Sequence, residues 1–501
     1  MTHPPHAPWR AEAALGLPYR SAWCGPSLLV LETGGGVGGG SVAGWYFREA
    51  RHLSAARLEL FGEAPALASF AAGPQAIEQS FVYPEAEEVG GGGSGSGGSG
   101  ERHGVPTRGL DLFLGWRVRP ASIELTLRLT SRWRDDLEVD LAWALGADFA
   151  DLQQALAGEA GPGAAATAIE GGVLFACDHP ELPLATRATA GGARWRWDGG
   201  RLRTTLLLAR QETAELTLRL AADDAADPLD EAGETAREER LAAWRRSLTR
   251  LSAPGGDAFV TMADAAMADL GSLALLDGAE DEWLAPAAGI PYYPAFFARD
   301  ALTAGWQATV LDQGQLLAAA HAKAGRLIGR ADDPWRDEQP GRIVQQARRG
   351  PLARLGVNPF DRYYGDYASP LMFVISLGQL YAWTGDRRAL ARSWPAAMAA
   401  LAWAERHGDR DGDGWLEYLT LSPAGPKHQG WKDSDNAVVD ERGEQVEPPF
   451  AAAELQGYWF AALEIASVLA LFLGRPGTAF RLARRARRLK RRFDRDFWLP
   501  E

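Results

Sequence analysis

Between about residues 22 and 220, apolar and polar positions alternate with a period of two. They fall in short runs separated by Gly, Pro and Asp. SLLVLET (27–33), SIELTLRLTSRW (122–133), LEVDLAWAL (137–145), RLRTTLLLA (201–209) and ETAELTLRLA (212–221) are the clearest. Successive strand side chains point to opposite faces, so many half-apolar runs predict an antiparallel β-sandwich. The charged stretch DDAADPLDEAGETAREERLAAWRRSLTRL (223–251) predicts a linker that becomes a helix. From about 255 the period becomes helical, predicting helices near 256–278, 298–312, 314–328, 368–384, 387–406, 450–473 and 476–494. Paired helices joined by Gly-, Pro- and Asp-bearing loops predict an array of helical hairpins, not a β/α alternation. The expected organisation is a sandwich over 1–222, a linker helix over 223–254 and a helical domain over 255–501.

Composition narrows the class. The 501 residues are 46% hydrophobic and 23% charged, which is ordinary for a globular chain. Acidic residues outnumber basic ones 65 to 52, giving a net charge of −13. That balance predicts neither a nucleic-acid nor a membrane partner, since both need clustered cations. No charge-free apolar run of about 18 residues predicts a membrane span, and residues 1–20 lack a secretory h-region. With only Cys24 and Cys177, no disulfide framework is expected, which suits the cytoplasm. Two glycine-rich runs read as loops. GGGGSGSGGSG (90–100) suggests a hairpin tip, and GGGVGGG (34–40) matches GxGxxG at Gly34, Gly36 and Gly39 but leads into a strand. There is no HExxH, GxSxG or P-loop, and no cofactor or metal is expected.

Three windows carry candidate chemistry. In HQGWKDSDNAV (428–438), Asp433 and Asp435 lie beside Trp431, Lys432 and His428. An aromatic wall can desolvate a carboxyl and keep it protonated near neutrality, as a general acid requires. The competing reading is a pair of Asx turns. In GIPYYPAFFARDALTAGW (289–306), Arg299 and Asp300 begin a helix after an aromatic run. Asp300 reads either as an N-cap or, with Arg299, as a grip on sugar hydroxyls above Tyr292, Tyr293, Phe296 and Phe297. In DRDGDGWLEY (409–418), Asp409, Asp411, Asp413 and Gly414 fit a calcium loop, but Thr420 stands where the bidentate Glu belongs. This reads as a tight turn before a short strand, from which Glu417 could point into a site. The basic run RLARRARRLKRRF (481–493) reads as a helix with one buried stripe and a solvated face.

Taken in order, these windows resemble the bacterial amylo-α-1,6-glucosidase family, whose members carry a glycogen-debranching N-terminal domain. The resemblance rests on GWYFREARHLS (44–54), LGADFADLQQALAG (145–158), AGIPYYPAFFARDAL, YYGDYASPLMFVISLGQLYAWTGD (363–386), the Asp-Gly-Asp-Gly turn, QGWKDSDNAV and AELQGYWFAA (453–462). It implies a β-sandwich followed by an (α/α)6 toroid, and an inverting glycosidase using two carboxyls. Asp433 matches the general-acid position. Arg299 and Asp300 match the pair that binds the sugar in the cleaved subsite, which Trp431 and Lys432 would line. Glu454 and Gln456 would support the site from the next helix. The family often has Asp where Tyr367 stands, so either Asp366 compensates or the substrate contacts differ, and Ala298 replaces a Gly.

Six hairpins need twelve helices, and seven are predicted here, so the toroid is expected to be C-terminally truncated, with the catalytic base missing. Exposed apolar helix faces would then call for self-association or a partner chain. The expected function is hydrolysis of α-glucosidic linkages in glycogen-like or oligosaccharide substrates. The alternatives are a noncatalytic glycan-binding protein and a trehalase-like α-glycosidase.

Overall fold

The structure, a computed structural model, describes residues 19–38, 42–85, 101–252, 254–434 and 436–498. Gly39, the run at 90–100 and Asp435 lie outside the described residues. The chain divides into two compact units. The first runs to Glu234 and takes in Ile290–Tyr292, and the second comprises Thr235–Gly289 and Tyr293–Glu501.

The first unit is antiparallel throughout. Its largest sheet has eight strands in the order Ala164–Ile169, Gly172–Cys177, Leu184–Gly191, Thr213–Asp224, Ser122–Ser131, Leu110–Val118, Ala76–Tyr83 and Ala66–Ala72. Alternation sets its faces. Leu112, Leu114 and Trp116 pair with Leu129, Leu127 and Leu125, and all six are buried. Two four-stranded sheets complete the sandwich. One contains Leu137–Gly146, which buries Val139, Leu141 and Trp143. The other contains the hairpin Gly44–Phe47 and Ala50–Leu53, which turns at Arg48 and Glu49 with φ of 50° and 66°. Buried Arg48 donates to Asp224 at 3.5 Å and to the Asp227 carbonyl at 2.6 Å, which holds two L-residues in left-handed backbone. Helix α1 (Leu152–Ala157) begins at a capping box of Asp151 and Gln154. Helix α2 (Glu231–Ser247) carries the unit boundary after Glu234, whose buried carboxylate accepts from Ala121 N, Ser122 Oγ and Arg219.

The second unit is built of helical hairpins. Trp244 of α2 packs against Gly271 of α3 (Asp257–Leu273). Then follow α4 (Ala298–Asp312) with α5 (Gln315–Arg326), the single turn α6 (Pro351–Arg354), α7 (Ala368–Thr384) with α8 (Arg387–Trp403), and α9 (Ala453–Phe472) with α10 (Pro476–Asp496). α7 contacts both α4 and α9, so these three helices form one row, while α5, α8 and α10 each pack behind their hairpin partner. The α4–α5 turn follows from local chemistry. Gln313 and Gly314 are left-handed, and buried Asp312 accepts from the N–H groups of Gly314 and Leu316. α9 is long and apolar enough to cross a membrane by length and composition, but half of it is buried in this unit.

Candidate active site

The N-terminal ends of α4, α7 and α9 bring charged residues to the long loop before α9. Arg299, in the first turn of α4, is the hub. Its Nη1 donates to Asp366 Oδ2 at 3.1 Å and to the Gly430 carbonyl at 3.2 Å, and its Nη2 donates to Asp433 Oδ2 at 3.2 Å. Its guanidinium also lies 5.0 Å from the centre of the Trp431 ring, within cation–π range. Trp431 is 45% exposed, and its ring centre is 6.4 Å from that of Tyr458 on α9. One cation therefore joins two acids 67 residues apart in sequence and an exposed aromatic face.

The two acids differ in environment. Asp366 is buried and also accepts from Ala368 N at 2.7 Å and Ser369 Oγ at 2.6 Å, so its carboxyl group is held in one orientation. Asp433 keeps 41% of its side chain exposed. Desolvation by its surroundings raises its pKa above the ordinary aspartate value. Arg299 opposes that shift, and the Asp366 charge adds to it. Solvent at the open side limits its size. Asp300 is also raised, by crowding of protein on one side and against the pull of Arg299, although the residue is exposed, so solvent limits the shift here too. For Arg299 itself, burial disfavours the charge, but Asp366, Asp433 and Asp300 outweigh it and raise its pKa.

The loop that carries Asp433 is moored from beneath. Gln429 is fully buried, and its amide nitrogen donates to Asp337 Oδ2 at 3.0 Å, Tyr363 Oη at 3.3 Å and Thr420 Oγ1 at 3.1 Å. Its amide oxygen accepts from Arg342 Nη2 at 2.7 Å, and its carbonyl accepts from Tyr367 N at 2.8 Å. Asp337 further accepts from Tyr363 Oη and Leu421 N, both at 2.7 Å. Arg342 lies 4.7 Å from the Tyr367 ring centre and 4.9 Å from that of Trp403. This buried cluster escapes sequence reasoning. Gln429 is an uncharged residue among the acids and aromatics of QGWKDS, and no apolar period marks Asp337 and Arg342 as buried.

Several expected residues land elsewhere. Asp300 is not an N-cap: α4 starts at Ala298 after Phe297, which leaves Asp300 exposed in the first turn. Gln456 is buried and supports the loop rather than lining the open face. Its amide oxygen accepts from Leu416 N, and its nitrogen donates to the Leu416 and Ala452 carbonyls, so it clamps the loop to α9. Glu417 is not on a strand aimed at the site. The expected strand is a single bridge between Tyr418 and Phe450, and Glu417 accepts from Arg410 N across the turn. Asp409, Asp411 and Asp413 bring oxygens within 4.8 Å of one another, while Asp411 and Asp413 accept from Asp413 N and Trp415 N as turn caps. Glu454 and Lys432 are exposed, and a Cβ at Gly430 would lie 3.3 Å from Glu454 Oε1, so Glu454 does border the site.

No curated protein sequence matches the chain. Among solved structures, a bacterial glucoamylase complexed with acarbose aligns with a TM-score of 0.53 at 9% identity, covering 94% of this chain and 66% of the glucoamylase chain. A putative kojibiose phosphorylase from the human microbiome aligns with a TM-score of 0.55 at 8% identity, covering 96% and 68% respectively. The chain thus spans about two thirds of each neighbour's length. At these identities the likeness is one of fold, a sheet-rich region followed by helices as in (α/α)6 enzymes. Residues 24–219 match the family of N-terminal domains of (some) glycogen debranching enzymes.

Proposed function

We propose that the chain is a glycoside hydrolase of the debranching type, acting on α-glucosidic linkages, with Asp433 as the general acid. The observation that carries this reading is the sharing of Arg299 between buried Asp366 and half-open Asp433, beside the exposed Trp431 ring. Arg299 and Asp300 would take hydroxyls of the sugar to be released, with Trp431 as an apolar face. Arg299 also holds one Asp433 oxygen, which fixes the carboxyl's orientation. A sugar that displaces water from the open side of Asp433 would remove its remaining solvation and raise its pKa further. Asp433 would then deliver its proton to the departing glycosidic oxygen. An inverting course is part of the proposal and needs a second carboxylate activating water from the opposite face of the ring. The match of residues 24–219 and the fold neighbours support a carbohydrate substrate.

The test is glucose release from maltooligosaccharides, a branched limit dextrin and trehalose, by the unmodified chain and by Asp433→Asn. Release from an α-glucan, lost in the variant by about a thousandfold or more, supports the assignment. Undiminished release by the variant refutes it. Calorimetric binding of oligosaccharide without any release would make the chain a glycan-binding protein instead.

A further inference from the structure

The average charge of −13 conceals a segregation. α10 carries eight Arg and one Lys against Asp494 and Asp496, a net of +7, so the rest of the chain carries −20. The helix buries Ala479, Leu482, Ala486 and Leu489 and packs on α9, which fixes the orientation of its opposite face. Arg481, Arg484, Arg488, Arg491 and Arg495 are exposed and follow one another at spacings of three, four, three and four residues, the last of them forked onto Asp496. At about 1.5 Å of rise per residue they form one straight row roughly 20 Å long. Arg487 and Lys490 flank it, also exposed. Arg485 and Arg492 turn aside to pair with Glu405 and the Asp413 carbonyl and are not part of the row.

Large apolar side chains stand at the end of this hairpin. Phe480 is 71% exposed one turn into α10, and Leu471 (58%) and Phe472 (47%) are exposed on the last turn of α9. Phe480 stands in water one turn before Arg484, Leu471 is also mostly in water, and Phe472 keeps about half its surface exposed while its ring lies 4.9 Å from that of Tyr381. A row of cations with aromatic and aliphatic tips is the chemistry that holds a protein on an anionic bilayer: phosphates pair with guanidinium groups while the tips enter the headgroup region. The apolar stripe of α10 is occupied by α9, so the helix itself stays outside the lipid. A single-stranded nucleic acid would instead need a basic groove with stacking platforms, and this row is the outward ridge of one helix. We propose that the exposed face of α10, with Phe480, Leu471 and Phe472, is a docking surface for an anionic lipid membrane. The proposal is independent of any glycosidase activity.

The test is co-sedimentation of the full chain with vesicles of phosphatidylcholine alone or with phosphatidylglycerol. Binding is expected to the anionic vesicles only, and to weaken as salt is raised. Arg484, Arg488 and Arg491 replaced together by Gln should weaken that binding about a hundredfold, since each cation near the surface contributes roughly fivefold. These side chains are exposed and Gln is a comparable helix former, so the far-UV circular dichroism should be unchanged. The same three replaced by Lys should bind nearly as well as the unmodified chain. Equal sedimentation with neutral vesicles, no sedimentation with anionic ones, or binding indifferent to the Gln substitutions overturns the proposal. So does retention on a single-stranded polynucleotide, but not on vesicles, that the Gln substitutions abolish.

Discussion

Asp366 and Asp433 share one guanidinium but not one environment, and that difference is why Asp433 rather than Asp366 is proposed as the proton donor. If Asp433 must be protonated to act, turnover falls as pH rises through its pKa. The Asp366 charge helps to raise that pKa. Asp366→Asn should therefore lower it and move the alkaline limb of glucose release to lower pH, as a pH–rate profile would show. The same change removes a charged acceptor from Arg299, Ala368 N and Ser369 and should cost about 2 kcal/mol of stability. Gln429 is a second lever. Gln429→Leu would leave buried Asp337 and Arg342 each short of a partner, so denaturant unfolding should show a loss of about 3 kcal/mol. Arg299 and Asp433 are legible in sequence because each sits in a dense motif. The Asp337–Arg342–Gln429 cluster is not, because its members lie far apart along the chain and only folding removes them from water.

At the scale of the element, period carries most of the information. The helices beginning at 298, 368 and 476 start where the apolar spacing places them. Errors fall at boundaries and in loops, where hydrogen bonds between distant backbone groups decide. α9 starts at Ala453 rather than 450 because Phe450 bridges Tyr418, and Gln456 is spent on the Leu416 backbone. Close approach sets the α4–α5 hairpin: a Cβ on Gly305 would lie 2.7 Å from Leu317 Cα. Gly305→Ala should therefore destabilise the helical unit by about 2–3 kcal/mol despite the better helix propensity of Ala, as thermal unfolding would show. Between α5 and α7, burial depresses the His321 pKa to about 3, with one hydrogen bond to Ser376 partly opposing this. Its folded pKa lies below the unfolded one, so the unfolded state binds the extra proton. Stability is then lost as pH falls from about 6.5 toward 3. Urea unfolding at pH 7 and pH 5 should differ by about 2 kcal/mol from this residue, and His321→Gln should abolish that part of the difference.

For the whole molecule, averages mislead where charge and length are unevenly placed. The net charge of −13 argues against anionic partners, yet +7 of opposite charge lies on α10, a basic run visible in the sequence whose solvated face the packing of α10 on α9 fixes. The β-sandwich and the succession of helical hairpins were readable from periods of 2 and 3.6 because each face had to be buried. What could not be read is which loop ends meet, and the site is made of those meetings: the starts of α4 and α7 and the loop at 428–434. The proposal stands or falls on whether this meeting point holds a sugar. The most direct measurement is a crystal structure of the chain soaked with maltotriose. The expected density is a glucosyl ring bonded to Arg299 and Asp300, against Trp431, with its glycosidic oxygen within hydrogen-bond reach of Asp433. Sugar bound elsewhere, with the Arg299–Asp433 contact unchanged, would contradict it.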